Sequence, residues 1–354
     1  MQTTAIFVAA YRELSHRKLF WLALGITLLV VGLFASIGIN ERGVTFLAWG
    51  FDSPFFNTNT TSPETFYKLL FFNFGIDWWL GLLATILALV TTCGIVPDLV
   101  TPGSIDLLLA RPISRTRLFL TKYATGLLFS ALQVLVFTLA TFVVIGIRGG
   151  VWEWSLFVAV PIVTFFYSLL FSICALVGVV TRSSVASLIL TLMAWAVIST
   201  VALGEMLTNR GLLANSLDIA ACERALADPA DPPDEDRRAE LEERLAHSRE
   251  SAPNWTTAHG WFFGVYTCLP KTGETLDAMT RMLLTDQRIP GRDRRGPSGP
   301  DGIFAPREVN RREFELAVEE DQASRSFAWV LSTSLLFEAA MLALATIVFV
   351  RRDY

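Results

Sequence analysis

"LFWLALGITLLVVGLFASIG", residues 19–38, decides the class of fold, because the stretch holds no charged side chain. A chain crossing the roughly 30 Å hydrocarbon core must satisfy every backbone N–H and C=O internally, and about 20 apolar residues do so as one α-helix. Mainly apolar stretches of spanning length recur at residues 78–96, 118–147, 154–180, 185–204 and 327–350. Composition agrees: 354 residues are 53% hydrophobic, 12% aromatic and only 18% charged, with a mean hydropathy of +0.48. The expected fold class is an all-α integral membrane protein with six transmembrane helices. The first stretch is too long for a signal-peptide core and has no small-residue cleavage pattern after it. A net charge of -4 gives no bulk attraction to nucleic acid.

Lys and Arg in short loops set the orientation. Arg12, Arg17 and Lys18 precede span 1; Arg111, Arg115, Arg117 and Lys122 lie between or just inside spans 2 and 3; Arg182 lies between spans 4 and 5; Arg351 and Arg352 follow span 6. With six spans all of these share one side. The opposite loops balance Arg42 and Lys68 against Glu41, Asp52, Glu64 and Asp77, and Arg148 against Glu153. Both termini are therefore expected in the cytoplasm. Trp21, Trp78, Trp79, Trp152, Trp154 and Trp329 lie at or near span ends, as an interfacial aromatic belt requires.

The expected organisation is residues 1–204 with spans 1–5, residues 205–326 as a large, partly helical extracytoplasmic loop, and residues 327–354 with span 6 and a cytoplasmic tail. In the loop, "LLANSLDIAACERALA" is helix-compatible, "DPADPPDEDRR" breaks it, and "EDRRAELEERLAHSRE" resumes as a solvated helix or one arm of a helical hairpin, with Glu240 and Arg244 at i,i+4. "WFFGVYTCLP", residues 261–270, is too short to span; the reading is packing on the outer membrane interface, with a re-entrant dip as the alternative. "IPGRDRRGPSGPDG", residues 289–302, has the Gly, Pro and charge density of a mobile loop.

Between spans 2 and 3 lies "PGSIDLLLARPISRTRLFLTKY", residues 102–123. Thr101 caps and Pro102 starts a helix, since the hydroxyl accepts an orphan amide and proline lacks the donor otherwise wasted there. Ile105, Leu108 and Leu109 share one face, Asp106 points elsewhere, Pro112 stops the helix, and Ser114 is placed to cap span 3. A short amphipathic helix at the cytoplasmic surface, tied to two spans, is the expected element over residues 102–112.

This stretch resembles the signature of ABC-2 type transporter permeases, the family that includes the permease of nitrous oxide reductase maturation. The matching positions are Gly103 and Ser104, Leu107 to Leu109, Ala110, Pro112, Ser114, Arg115 and Lys122. Ser104 stands where threonine is usual, Asp98 is the only acidic residue shortly before the glycine, and the loop after span 5 is larger than in compact members. The resemblance implies a coupling helix received by a separate cytoplasmic ATPase subunit: Ile105, Leu108 and Leu109 as docking face, Asp106, Arg111 and Arg115 as rim contacts, and Arg182, in "VTRSSVAS", as a smaller second contact. The alternative for basic juxtamembrane residues, Arg117 and Lys122 above all, is topology setting and binding of anionic lipid.

The chain has no nucleotide-hydrolysing motif of its own, because "GVYTCLPKT" lacks the second glycine and the spacing of a P-loop. ATP and magnesium are expected in a partner ATPase dimer, and no cofactor or metal on this chain. "SHRK" and "KTG" imitate two penicillin-binding-protein motifs, but topology separates them and the middle motif is missing. His16, His247 and His259 lack zinc-ligand spacing. Cys93 and Cys174 lie within spans as packing residues; Cys222 and Cys268 share the outer loop, where a disulfide between them is permitted. Glu338 in span 6 and Gln133 in span 3 are the intramembrane polar groups. Glu338 has two readings: a polar contact on a translocation route or proton-sensitive hinge, or a bond to a Ser or Thr on a neighbouring helix that fixes packing.

These readings converge on an export permease of a bacterial cytoplasmic (inner) membrane, paired with a second copy or a related permease. A mechanotransmission subunit that acts through its outer loop on an extracytoplasmic partner is the alternative.

Overall fold

The computed structural model describes residues 18–47, 49–52, 57–59, 61–100, 114–229, 232–276 and 311–351. The expected amphipathic helix with Gly103, Ser104, Ile105, Asp106, Leu108, Leu109, Arg111 and Pro112 lies outside the described residues, as does the glycine-rich loop at 289–302. Six helical runs are long and apolar enough to cross a membrane, and the chain divides into two compact units.

The first unit comprises Met1–Trp195, Thr272–Gly291 and Leu335–Tyr354. Helix α1 is Lys18–Ser36. It passes directly into an antiparallel sheet of β1 (Ile37–Ile39), β2 (Gly43–Phe46) and β3 (Trp49–Asp52), paired in that order. Asn40 builds the β1–β2 turn: its Oδ1 accepts from the amides of Arg42 and Gly43 at 2.9 and 2.8 Å. Helix α2 (Pro63–Leu70) begins with Ser62 capping the Thr65 amide and proline at its first position, where the missing N–H costs nothing. It continues as a π-helical segment, Phe71–Ala84, and then as α3, Thr85–Thr92. The second run is thus longer than its apolar centre at 78–96, and a 3-10 turn, Pro97–Val100, ends it.

Helix α4 (Arg115–Gly149) is capped by Ser114 and closed by Gly150 at φ 74°. A 3-10 turn, Trp154–Val158, leads into α5, Ala159–Thr181. Two clusters of buried side chains hold the unit. One gathers Phe20, Leu89, Val96, Phe119, Phe129, Phe171 and Phe349; the other gathers Val31, Phe34, Phe66, Trp79, Phe137, Ile145 and Leu156. Close approach of α4 and α5 requires Gly126, since a Cβ there would lie 2.4 Å from the Phe171 ring.

The second unit is Ala196–Lys271 with Arg292–Ser334. Helix α6, Ser184–Ala227, begins in the first unit and passes residue 204 without a break. Its 44 residues rise about 66 Å, roughly twice the hydrocarbon thickness. Helix α7, Glu235–Cys268, is capped by Asp234 and carries Pro253 inside it; "WFFGVYTC" is therefore the end of a long helix rather than a separate segment. The remaining helices are α8 (Arg311–Ser324) and α9 (Phe327–Arg351).

Helices α6 and α7 form an antiparallel hairpin with a readable register. Glycines of α6 receive aromatic rings of α7: a Cβ at Gly204 or Gly211 would lie 2.2 Å from Phe262 or Trp255. Farther along, Asp218 accepts from Arg244 at 2.7 Å and Ser248 at 2.8 Å. Near the base Glu205, only 4% exposed, meets Arg325 at 2.5 Å. This register corrects the disulfide expectation. No bridge joins Cys222, which is buried, to Cys268, which is exposed. Cys222 is level with Arg244, 24 residues from Cys268 along α7, so roughly 36 Å of helix separates the two sulfurs' levels, far beyond disulfide reach.

Candidate functional site

The described residues on either side of 101–113 define one face of the first unit. Pro97, Leu99 and Val100 are buried as the chain enters the segment, and Ser114 leaves it by accepting from the Arg117 amide at 3.3 Å. Arg115 donates through Nη1 to the carbonyl of Val350 at 3.2 Å. A cation at the final carbonyls of α9 complements the negative end of that helix and ties the start of span 3 to the end of span 6. The α5–α6 turn is on the same face, because Gly178, one turn before the end of α5, packs on Pro97.

In that turn Arg182 is exposed and adopts φ 55°, donating its amide to the Gly178 carbonyl at 3.0 Å. Glycine normally takes this left-handed closing position. Ser183 then caps α6 by accepting from the Ala186 amide at 3.3 Å. Arg115 and Arg182 therefore lie on one face with Val100 and Ser114.

About 12 Å along α4 from Arg115, at 1.5 Å per residue, a polar node joins three spans. Glu338 of α9 accepts from the Tyr123 hydroxyl at 2.8 Å and from the Ser168 hydroxyl at 2.9 Å. Tyr123 stacks on Phe171, which stacks on Tyr167, and the Tyr167 hydroxyl lies 2.5 Å from that of Thr92. Glu338 thus bonds a serine on a neighbouring helix and remains partly exposed. Gln133 does not join it. Ten residues farther along α4, it is 2% exposed and neither end of its amide has a hydrogen-bond partner; Trp79 Nε1 is likewise unpaired.

Sequence reading missed the ordered cluster at the other face. Lys68, 13% exposed, bridges Glu64 at 2.8 Å and Glu153 at 2.6 Å, while Tyr67 and Arg148 both donate to the Ile37 carbonyl at 3.0 and 3.1 Å. The Lys68 ammonium, helped by Ser155, holds the Glu153 carboxyl below its ordinary range against the opposing effect of partial burial. The signal was present: Glu64 and Lys68 stand at i,i+4. Among the described residues no group of three His, Cys, Asp or Glu side chains could hold a metal ion.

Six apolar helical runs, a capped entry to span 3 and a tight basic turn between spans 4 and 5 are the features that comparison with known families can test. The model of the ABC-2 family transporter protein matches residues 13–197, just over half of the chain. The chain belongs to the ABC-2 transporter family. This multi-pass permease carries the match over spans 1–4 and the first turns of α6, so the α6–α7 hairpin lies outside it. No curated protein and no solved structure matches the permease.

Proposed function

We propose that this permease is the membrane subunit through which a separate cytoplasmic ATPase dimer, holding ATP and magnesium, drives export of a substrate. The family match over residues 13–197 carries the reading. Two observations support its detail. Val100 and Ser114, the described residues that flank 101–113, lie on one face with Arg115 and Arg182, where the proposed docking segment would join the helices. Force received there passes into α4, whose Tyr123 touches α5 and α9 through Ser168 and Glu338. In this reading the supporting face is cytoplasmic and the membrane is a bacterial inner membrane.

Pairing with a second copy or a related permease belongs to the same proposal. The apolar windows of spans 2 and 4 are 72% buried, whereas those of spans 5 and 6 are 17% buried. Spans 5 and 6 therefore have wide faces for lipid and for a second permease around a central path. The α6–α7 hairpin favours a second reading, a mechanotransmission subunit acting on an extracytoplasmic partner: Asp218, Arg244, Ser248 and Glu205 make it a braced lever.

Co-purification from native membranes tests the engine. Wild type should retain a soluble ATPase identified by mass spectrometry, and the double variant Ile105→Asp, Leu108→Asp should lose it while remaining membrane-inserted. No ATPase with wild type under gentle detergent and crosslinking would leave the permease reading without its energy source.

A further inference from the structure

The three-stranded sheet has two unlike turns. The β1–β2 turn holds Asn40 with the exposed, charged Glu41 and Arg42. The β2–β3 turn presents Leu47, which is 73% exposed and adopts φ 55°. Hairpin turns with positive φ favour Asn, Asp or Gly, and an exposed leucine in that conformation requires another explanation.

Position supplies one. The Leu47 amide donates to the carbonyl of Ser36, the last residue of spanning helix α1, at 3.0 Å. Strand β1 leaves the membrane-spanning helix, β2 returns, and the Leu47 turn sits beside the helix end. The polar turn is displaced from it by one strand, about 13 Å for four residues. Register then fixes what faces the same way: Ile37, Phe46 and Trp49 form one row, and Ile39, Val44 and Phe51 the next row on that face. Ile37, Ile39 and Val44 pack against the buried cluster around Phe34 and Tyr67. Strand β3 extends beyond that support, leaving Trp49 70% and Phe51 60% exposed.

We propose that Leu47, Trp49 and Phe51 form a lipid-seated edge, inserted at the headgroup–acyl boundary of the membrane face where α1 ends. The apolar face that covers the protein core continues onto the bilayer beside it, and aromatic side chains are favoured at that depth. The polarity of the two turns follows the membrane normal: apolar at the helix end, charged one strand away. Seating in the interface also covers an edge strand that would otherwise invite pairing with another chain.

Photolabelling of the native permease tests this. It is reconstituted in phosphatidylethanolamine–phosphatidylglycerol vesicles carrying a phospholipid with a diazirine near the glycerol, or exposed to a water-soluble diazirine, and adducts are mapped by mass spectrometry. The expected result is lipid adducts on Leu47, Trp49 and Phe51 at the level of Trp152 and Trp154, with aqueous adducts on Glu41 and Arg42. In the variant Trp49→Ser, Phe51→Ser, lipid labelling at Leu47 should fall several-fold while labelling of α1 stays constant. Aqueous labelling of residues 47–51 as strong as that of Glu41 would overturn the proposal. So would protection from both reagents, the signature of a second copy or a partner strand covering the edge, or unchanged labelling of Leu47 in the variant.

Discussion

Arg182 shows how a single residue separates backbone demands from side-chain chemistry. Its left-handed φ of 55° costs a non-glycine residue roughly 1 kcal/mol, so Arg182→Gly should keep or slightly raise thermal stability in detergent while removing one exposed cation. If Arg182 is an ATPase contact, the variant should also retain less ATPase in co-purification; unchanged stability with unchanged retention would confine the residue to topology. Gln133 poses the reverse case. An unpaired buried amide costs about 1–3 kcal/mol relative to an apolar side chain of similar size, so Gln133→Leu should raise the unfolding midpoint by several degrees, and a fall would mean that the amide is paired in the membrane. For Glu338, interhelical hydrogen bonds in membranes are worth about 0.6 kcal/mol on average and at most about 1.7. Glu338→Gln should therefore leave folding intact, and lost transport with normal assembly and ATPase coupling would assign Glu338 to the route rather than to packing.

At the scale of elements, one close contact organises the interior: Gly126 admits the Phe171 ring, held between Tyr123 and Tyr167. Stacked on both sides, the ring has little room to yield, and Gly126→Ala should destabilise the permease by about 1–3 kcal/mol, the usual cost of overpacking. A drop in unfolding midpoint, with Ser168→Ala losing far less, checks this. The Lys68–Glu153 link ties α2 to the entry of span 4, and its sign with pH is fixed. Because the folded Glu153 carboxyl sits below its ordinary value of 4.5, its stabilisation is full above that value and is lost as pH falls through the depressed folded value. The unfolding midpoint of wild type should decline more steeply than that of Glu153→Gln on acidification below pH 4.5, and parallel profiles would count against the link. The apolar runs behind the spans, and the Ser114 cap, were legible because hydropathy and capping act within one or two turns. The sheet was not: "VTFLAWGF" reads as another apolar run, and Leu47 gives no turn signal. The Glu338 node was half legible, since a carboxylate in a span announces itself, whereas Tyr123 lies 215 positions away in sequence.

Across the whole molecule, hydropathy and helix continuity part company at residue 204. The apolar run ends at Gly204–Glu205, but the sequence that follows has no proline and many good helix formers, so α6 continues to Ala227. In the proposed topology, the side on which residues 205–227 emerge depends on the inside-positive bias of Arg115, Arg182 and Arg351. Cysteine chemistry reads that side directly. Cys93, Cys174 and Cys222 are buried and Cys268 is exposed at the end of α7. In intact spheroplasts a membrane-impermeant maleimide should modify Cys268 alone, without permeabilisation and without prior reduction, because no disulfide engages it. In a Cys268→Ser background, Arg182→Cys should react only after the membrane is opened. The opposite pattern would invert the orientation and place the hairpin beside the ATPase; labelling of Cys268 only after reduction would overturn the register of α6 and α7, which holds it about 36 Å from the level of Cys222.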